Sequence, residues 1–231
     1  MTVVPAASPV PAGARTGEPG VDVGRLVVVP LFSLLFVANA AGLVRAAQAS
    51  DGAAARTVSV VASLLMLAFY VVVIGAYLGR GRASATTQSL AAKVAAVVAT
   101  CLPLALPLVA RPEGTIGTDL AAAVLVLAGS IWSLWSLTAL GRNLSVVAQA
   151  RGLSSDGPYR WVRHPLYVGE IVAVLGLAVR SDVVVVYVLW AALVALQTYR
   201  ASVEERLLAV SLPGYPAYRA RTGRFVPRLS Q

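Results

Sequence analysis

Residues 166–199 read LYVGEIVAVLGLAVRSDVVVVYVLWAALVALQTY. The stretch holds two apolar runs, Leu166–Val179 of 14 residues and Val183–Tyr199 of 17, with only Arg180-Ser181-Asp182 between them. Three residues permit a tight helical hairpin and nothing larger. The first run is short and contains a carboxylate, Glu170, so the fifth helix reads either as crossing the membrane or as stopping short of its far side.

Upstream lie three uncharged runs: Leu26–Val44 of 19 residues, Thr57–Gly79 of 23 and Leu120–Leu140 of 21. Each is long enough, at ~1.5 Å per residue, to cross a hydrocarbon core of ~30 Å. Val94–Ala110 has 17 residues and carries Pro103 and Pro107. It spans if Ala83–Ala92 extends it and Lys93 snorkels, and its prolines predict a kink. Composition agrees: the chain is 58% hydrophobic and 13% charged, with mean hydropathy +0.78. Soluble domains are about 45–50% apolar and about 25% charged. The reading is an all-α integral membrane protein of about six transmembrane helices, the last two a tight hairpin. Residues 1–23, rich in Pro, Ala, Gly, Ser and Thr, read as a disordered tail. Residues 24–140 carry four transmembrane helices, and 141–231 form a C-terminal region of loop, hairpin and tail. The one cysteine, Cys101, excludes an intrachain disulfide and reads as a small buried hydrophobe.

The net charge of +9 has its explanation in topology. With a cytosolic N-terminus, 15 basic residues fall inside, and only Arg45, Arg56, Arg111 and Arg180 fall outside. That split obeys the positive-inside rule with both termini cytosolic. Nucleic acid is therefore not an expected partner, and the lipid bilayer is. No P-loop, no Gly-rich dinucleotide turn and no His/Cys metal set is present, so no metal is expected. Nothing in the sequence sets an oligomeric state.

Polar chemistry gathers where the fifth helix begins. Pro165 suits the first helical position. Arg163 and the only histidine, His164, then stand at a positive helix end and make a candidate anion site with Arg160. The same arginines equally suit lipid headgroups. Glu170, at a depth where a carboxylate costs roughly 2.5–3.5 kcal/mol, either pairs with an arginine or lines a ligand cavity. Glu204 and Glu205 follow the sixth helix in a short amphipathic segment. As neighbours in sequence, at most one of them is expected to face the hairpin. The tail interleaves Tyr215, Tyr218 and Phe225 with Arg219, Arg221 and Arg224. Such mixtures also anchor chains at a membrane interface.

Arg163-His164-Pro165-Leu166-Tyr167-Val168-Gly169, followed after an apolar stretch by Glu204-Glu205, resembles the isoprenylcysteine carboxyl methyltransferase family and its phospholipid N-methyltransferase relatives. The approach through Gly157-Pro158-Tyr159 and the tail with Tyr215, Tyr218 and RFVP at 224–227 are similar to the family too, over about residues 139–229. The resemblance implies a membrane enzyme that transfers methyl from S-adenosylmethionine (SAM), bound at a cytosolic C-terminal site. The acceptor would be lipophilic (prenylated, terpenoid or phospholipid) and would enter from the bilayer. It implies catalytic roles among Glu170, Glu204 and Arg163. It implies cofactor contacts among Tyr159, Arg163, His164, Pro165 and Tyr167, and further among Gly169, Glu204, Glu205 and Tyr218. Trp161 is a further candidate to pack on the cofactor. Carboxyl methylation is the first expectation and phospholipid N-methylation the alternative. A third reading is an NADPH-dependent membrane sterol or enone reductase, which shares an Arg-His-Pro stretch. Glu204-Glu205 speak against it by repelling a nucleotide phosphate. The membrane is the cell membrane in a bacterium or the endoplasmic reticulum in a eukaryote.

Overall fold

The computed structural model describes residues 23–48, 52–81, 83, 85–109, 116–150, 152–181 and 183–228. The expected tail, apart from Val23, lies outside the described residues, as do Arg15, Arg82, Arg111, Arg151 and Asp182. The fold is all-α with one two-stranded appendage. In chain order it runs α1 (Val23–Gln48), α2 (Ala53–Gly79), β1 (Ala85–Thr86), α3 (Leu90–Val109), α4 (Ile116–Leu140), β2 (Gln149–Ala150), α5 (Pro165–Val179), α6 (Val184–Ser211) and α7 (Tyr215–Arg221).

Four helices, α1, α2, α4 and α6, are long and apolar enough to cross a membrane. The expectation of six crossings is thus met in length and composition by four, with α3 and α5 shorter apolar helices. Three local expectations change. Of the expected extension Ala83–Ala92 only Leu90–Ala92 joins α3, because Ala85 and Thr86 pair antiparallel with Ala150 and Gln149. Ser89 then caps α3, its Oγ accepting from Ala92 N at 3.2 Å. Glu204 and Glu205 do not begin a separate segment, because α6 continues unbroken to Ser211. Cys101 is exposed; facing lipid, an apolar side chain needs no protein cover.

α1 packs on α2, α2 on α4, α4 on α5, and α3 on α6. The closest contact is between α4 and α5. A Cβ on Gly129 would come within 2.4 Å of Ala173 N, and one on Gly169 within 2.8 Å of Gly129 O. Glycine is therefore what lets the two backbones touch. α5 and α6 are tied by Trp190 Nε1 donating to Ile171 O at 3.0 Å. The carbonyls at the end of α2, which a helix leaves unpaired, are taken by arginines. Arg25 Nε donates to Tyr77 O at 3.0 Å, and Arg142 Nε donates to Gly79 O.

Candidate active site

His164 caps α5 and Pro165 opens it. The segment before it, Trp161–His164, is clamped by the C-terminal strap after α7. Arg163 N donates to Gly223 O at 2.8 Å and His164 N to Arg224 O at 3.1 Å. Gly223 N returns a bond to Trp161 O at 3.3 Å. Tyr218 Oη donates to Tyr159 O at 2.7 Å, which seats α7 on the same segment. Burial pushes the Tyr159 and Tyr215 phenols up, and Tyr218 up to about 12, so all three are neutral at neutral pH.

The cations expected to form an open anion site already share a carboxylate. Glu205, 3% exposed, receives Arg163 Nε at 3.0 Å and Arg224 Nη2 at 3.1 Å. His164 Nε2 lies 3.2 Å from the same group. A buried carboxylate with so many charge-assisted partners is stable where an isolated one would not be. Arg160 does not join them: its guanidinium lies over the Trp161 ring at 4.0 Å. Trp161 in turn packs with Trp132 and Trp135 of α4, at centroid distances of 6.2 and 5.7 Å. It therefore lines neither of the cavities described below.

Both glutamates face α5, not one. Tyr167 Oη donates to Glu204 Oε1, and His164 Nδ1 lies 3.8 Å from Glu204 Oε2. The reason is that His164 and Tyr167, stacked with ring centroids 5.4 Å apart, fill the wedge between two side chains about 100° apart on α6. Deeper in, Glu170 accepts from Gln197 Nε2 at 2.5 Å. Arg200 Nη1 donates to Gln197 Oε1 at 3.1 Å and Nη2 to Val146 O at 2.9 Å. Its guanidinium also lies over the Tyr167 ring at 4.8 Å. Gln197 and Arg200 had no part in the sequence reading of the site, yet both are buried. Their signal was there: polar side chains three apart in an apolar helix, facing inward.

Two cavities meet at this point. One, of about 160 Å³ and here called the polar cavity for the charged groups it carries, is lined by Tyr77, Tyr159, Arg163, His164, Tyr167, Glu170, Arg200, Glu204, Tyr215 and Tyr218 together with apolar side chains such as Leu144, Val146, Leu153, Leu166, Leu207 and Leu208. An apolar one of about 510 Å³ is lined by Phe32, Leu35, Met66, Phe69, Pro103, Val126, Val174, Leu177 and, again, Glu170. Phe69, Thr100 and Glu170 belong to both. Gly169 packs against α4, and Pro165 starts α5 and accepts from Trp132 Nε1 at 2.9 Å. Glu205 is turned into the cluster of cations. Among the described residues, no group of three His, Cys, Asp or Glu side chains is placed to hold a metal ion.

The chain is similar to the cobalt-zinc-cadmium resistance protein CzcN of Cupriavidus metallidurans, 40% identical over 80 residues. It is also similar to the nickel-cobalt-cadmium resistance protein NccN of Alcaligenes xylosoxydans xylosoxydans, 38% identical over 80 residues. Each match covers 34% of this chain and spans 37% of the relative's own length. A family model, phospholipid methyltransferase, matches residues 118–212. That interval holds α5, α6 and all three glutamates of the site. Residues 118–212 are thus similar to the phospholipid methyltransferase family, over the part of the chain that carries the Arg163-His164-Pro165 and Glu204-Glu205 motifs.

Proposed function

We propose that the chain is an integral membrane methyltransferase that takes its methyl group from SAM and delivers it to a lipophilic acceptor. One observation carries the reading: a polar cavity and an apolar cavity converge on Glu170. A soluble cofactor and a greasy acceptor need that juxtaposition and little else, because alignment alone contributes about 7–11 kcal/mol to such a reaction.

The polar cavity fits SAM in its chemistry. Two buried donors that line it, Arg200 Nε and the Tyr215 hydroxyl, lack a hydrogen-bond partner. Buried donors rarely stay unpaired, and these suit the carboxylate and ribose oxygens. Glu204, a carboxylate of the same wall, suits the ammonium, which leaves Glu170 for the acceptor. The faces of Tyr159, Tyr167 and Tyr218 suit the adenine ring. At about 160 Å³ the cavity is tighter than the roughly 300–1,000 Å³ of ligand sites. Entry therefore requires its loop wall, Leu144–Ala148 with Gly152–Ser154, to move outward. In this reading Glu205 and Arg163 are positioning residues, since each is used up on the other and on the C-terminal strap. In this reading, which the excess of basic residues in the segments read as inside supports, the polar cavity and both termini are cytosolic, in the cell membrane of a bacterium or the endoplasmic reticulum of a eukaryote.

Bound SAM supplies an electrophilic methyl group. The residues around it align, exclude water and manage a proton. Here the geometry favours the alternative acceptor over the first expectation. Among the described residues, the side chains lining the apolar cavity include one carboxylate and no Lys, Arg or His. A carboxylate acceptor would approach Glu170 with like charge. An amine is attracted to it and must lose a proton before it can attack, which Glu170 can accept. We therefore assign N-methylation of a lipophilic amine, with Glu170 as base.

Thermal shifts of detergent-purified protein test the cofactor. Stabilisation by SAM and S-adenosylhomocysteine is expected. Stabilisation by NADPH with none by either sulfur compound would replace this reading with the reductase one.

A further inference from the structure

The apolar cavity contains polar groups that its walls do not require. Asn39 of α1 lies in an otherwise apolar span, and it lines the cavity beside Tyr70 of α2. Asn39 Nδ2 donates to Leu35 O at 3.0 Å and to the Tyr70 hydroxyl oxygen at 3.3 Å. The bond to a carbonyl fixes which amide atom is nitrogen. Two hydrogen-bonding positions then remain side by side: Asn39 Oδ1, an acceptor, and the Tyr70 hydroxyl proton, a donor. Ser133 of α4 also lines the cavity, is 4% exposed, and its Oγ is without a hydrogen-bond partner. Had the Asn39–Tyr70 bond served only to join α1 to α2, one donor and one acceptor would have sufficed. In a membrane interior, surplus polar positions are costly unless something meets them.

We propose that the apolar cavity selects an acceptor bearing a hydroxyl group within its lipophilic body, and that Asn39 and Tyr70 read that hydroxyl. A hydroxyl is the group that donates and accepts at once, so it meets Asn39 Oδ1 and the Tyr70 proton together. A plain alkyl chain would leave both unpaired. A carbonyl would meet only the Tyr70 donor. The depth of the pair follows from the helix. Tyr70 is seven residues from Tyr77, which lines the polar cavity. At 1.5 Å per residue that is about 10 Å farther into the bundle. The hydroxyl it would meet is thus placed on the hydrocarbon body of the acceptor, and its position along that body is what the test below scans. Both reading residues lie outside the family-matched interval 118–212. The shared half then carries the transfer, and the N-terminal half sets which lipid is used. The fate of the acceptor rests on the methyltransferase reading, whereas the hydroxyl preference does not.

The probes are octadecylamine and its mono-hydroxylated derivatives, with the hydroxyl moved along mid-chain positions. Binding to detergent-purified full-length protein is measured first, without SAM, by ligand-induced thermal shift. One mid-chain hydroxyl isomer is expected to bind about tenfold more tightly than octadecylamine, the gain of one well-made buried hydrogen-bond pair. Tyr70→Phe, which keeps the ring, abolishes that preference, read as the ratio of each isomer's affinity to that of octadecylamine on the same variant. Asn39→Leu does the same through the other partner. Equal binding of all isomers by the natural protein, or a preference that survives both substitutions, overturns the proposal. Methyl transfer from labelled SAM is then measured with the same amines. Selective binding with no transfer to any of them would overturn the methyltransferase reading and leave the hydroxyl site standing.

Discussion

Glu205→Gln removes the negative charge on which the start of α5 and the C-terminal strap converge. Two of its partners are shut off from water: side-chain exposure is 8% for Arg163 and 6% for His164. The other two are not, with Arg224 at 35% and Arg219 at 56%. Removing one member of a buried ion pair costs about 3–5 kcal/mol. The exposed arginines re-solvate, so the low end, about 3 kcal/mol, applies. For chains of 150–250 residues each kcal/mol lowers Tm by about 2–4 °C, so a fall of about 6–12 °C is expected. The loss should be local before it is global. Arg224 lets go first, and the strap that caps Trp161–His164 loosens. Tryptophan-monitored melting in detergent reads the first effect. Limited trypsin digestion, watched at Arg221 and Arg224, reads the second. A Tm within about 2 °C of the natural protein, with unchanged cleavage, would refute the view that this carboxylate holds the site together.

Glu170→Gln should keep SAM binding but lower methyl transfer to an amine by at least about 100-fold, the low end for a general base; steady-state and single-turnover rates separate the two. Gly169→Ala puts a carbon 2.3 Å from Ser133 Oγ and 2.8 Å from a backbone oxygen, and should cost about 1–3 kcal/mol in melting experiments. Gly75→Ala meets nothing within 4 Å and should be neutral or stabilising by up to about 1 kcal/mol. Tyr218 is held neutral by burial, its pKa moving from 10.0 to about 12. Its contribution is present below pH 10 and drains away as pH rises towards 12, so Tyr218→Phe should flatten that part of an alkaline stability profile.

Much of this architecture is written in run lengths. Uncharged stretches near 20 residues announce spanning helices because the bilayer fixes the length, and a three-residue link can only turn a helix back. The motif residues were legible as well, since His164-Pro165 marks a helix start by backbone chemistry alone. What escaped depends on side-chain direction across helices. Nothing in Arg163, His164 and Glu205 taken singly says that they neutralise one another. That follows only once α6 continues past Tyr199 as one rigid rod. Trp161 looked like a cofactor platform until α4 supplied Trp132 and Trp135 as its neighbours. Asn39, Gln197 and Arg200 stood in plain sight as polar residues in or beside apolar runs. Their partners, Tyr70, Glu170 and Val146, come from other segments, and no local pattern names them.

The central claim is that a cofactor and a lipophilic amine meet at Glu170. The most direct measurement incubates the purified protein in bilayer nanodiscs with methyl-labelled SAM and a lipid extract, then partitions the label. The account predicts label in an organic-soluble product that resists base hydrolysis, absent with Glu170→Gln. Base-labile label would identify an ester and contradict the assignment of an amine. No label in any lipid, with NADPH bound instead, would contradict the account as a whole.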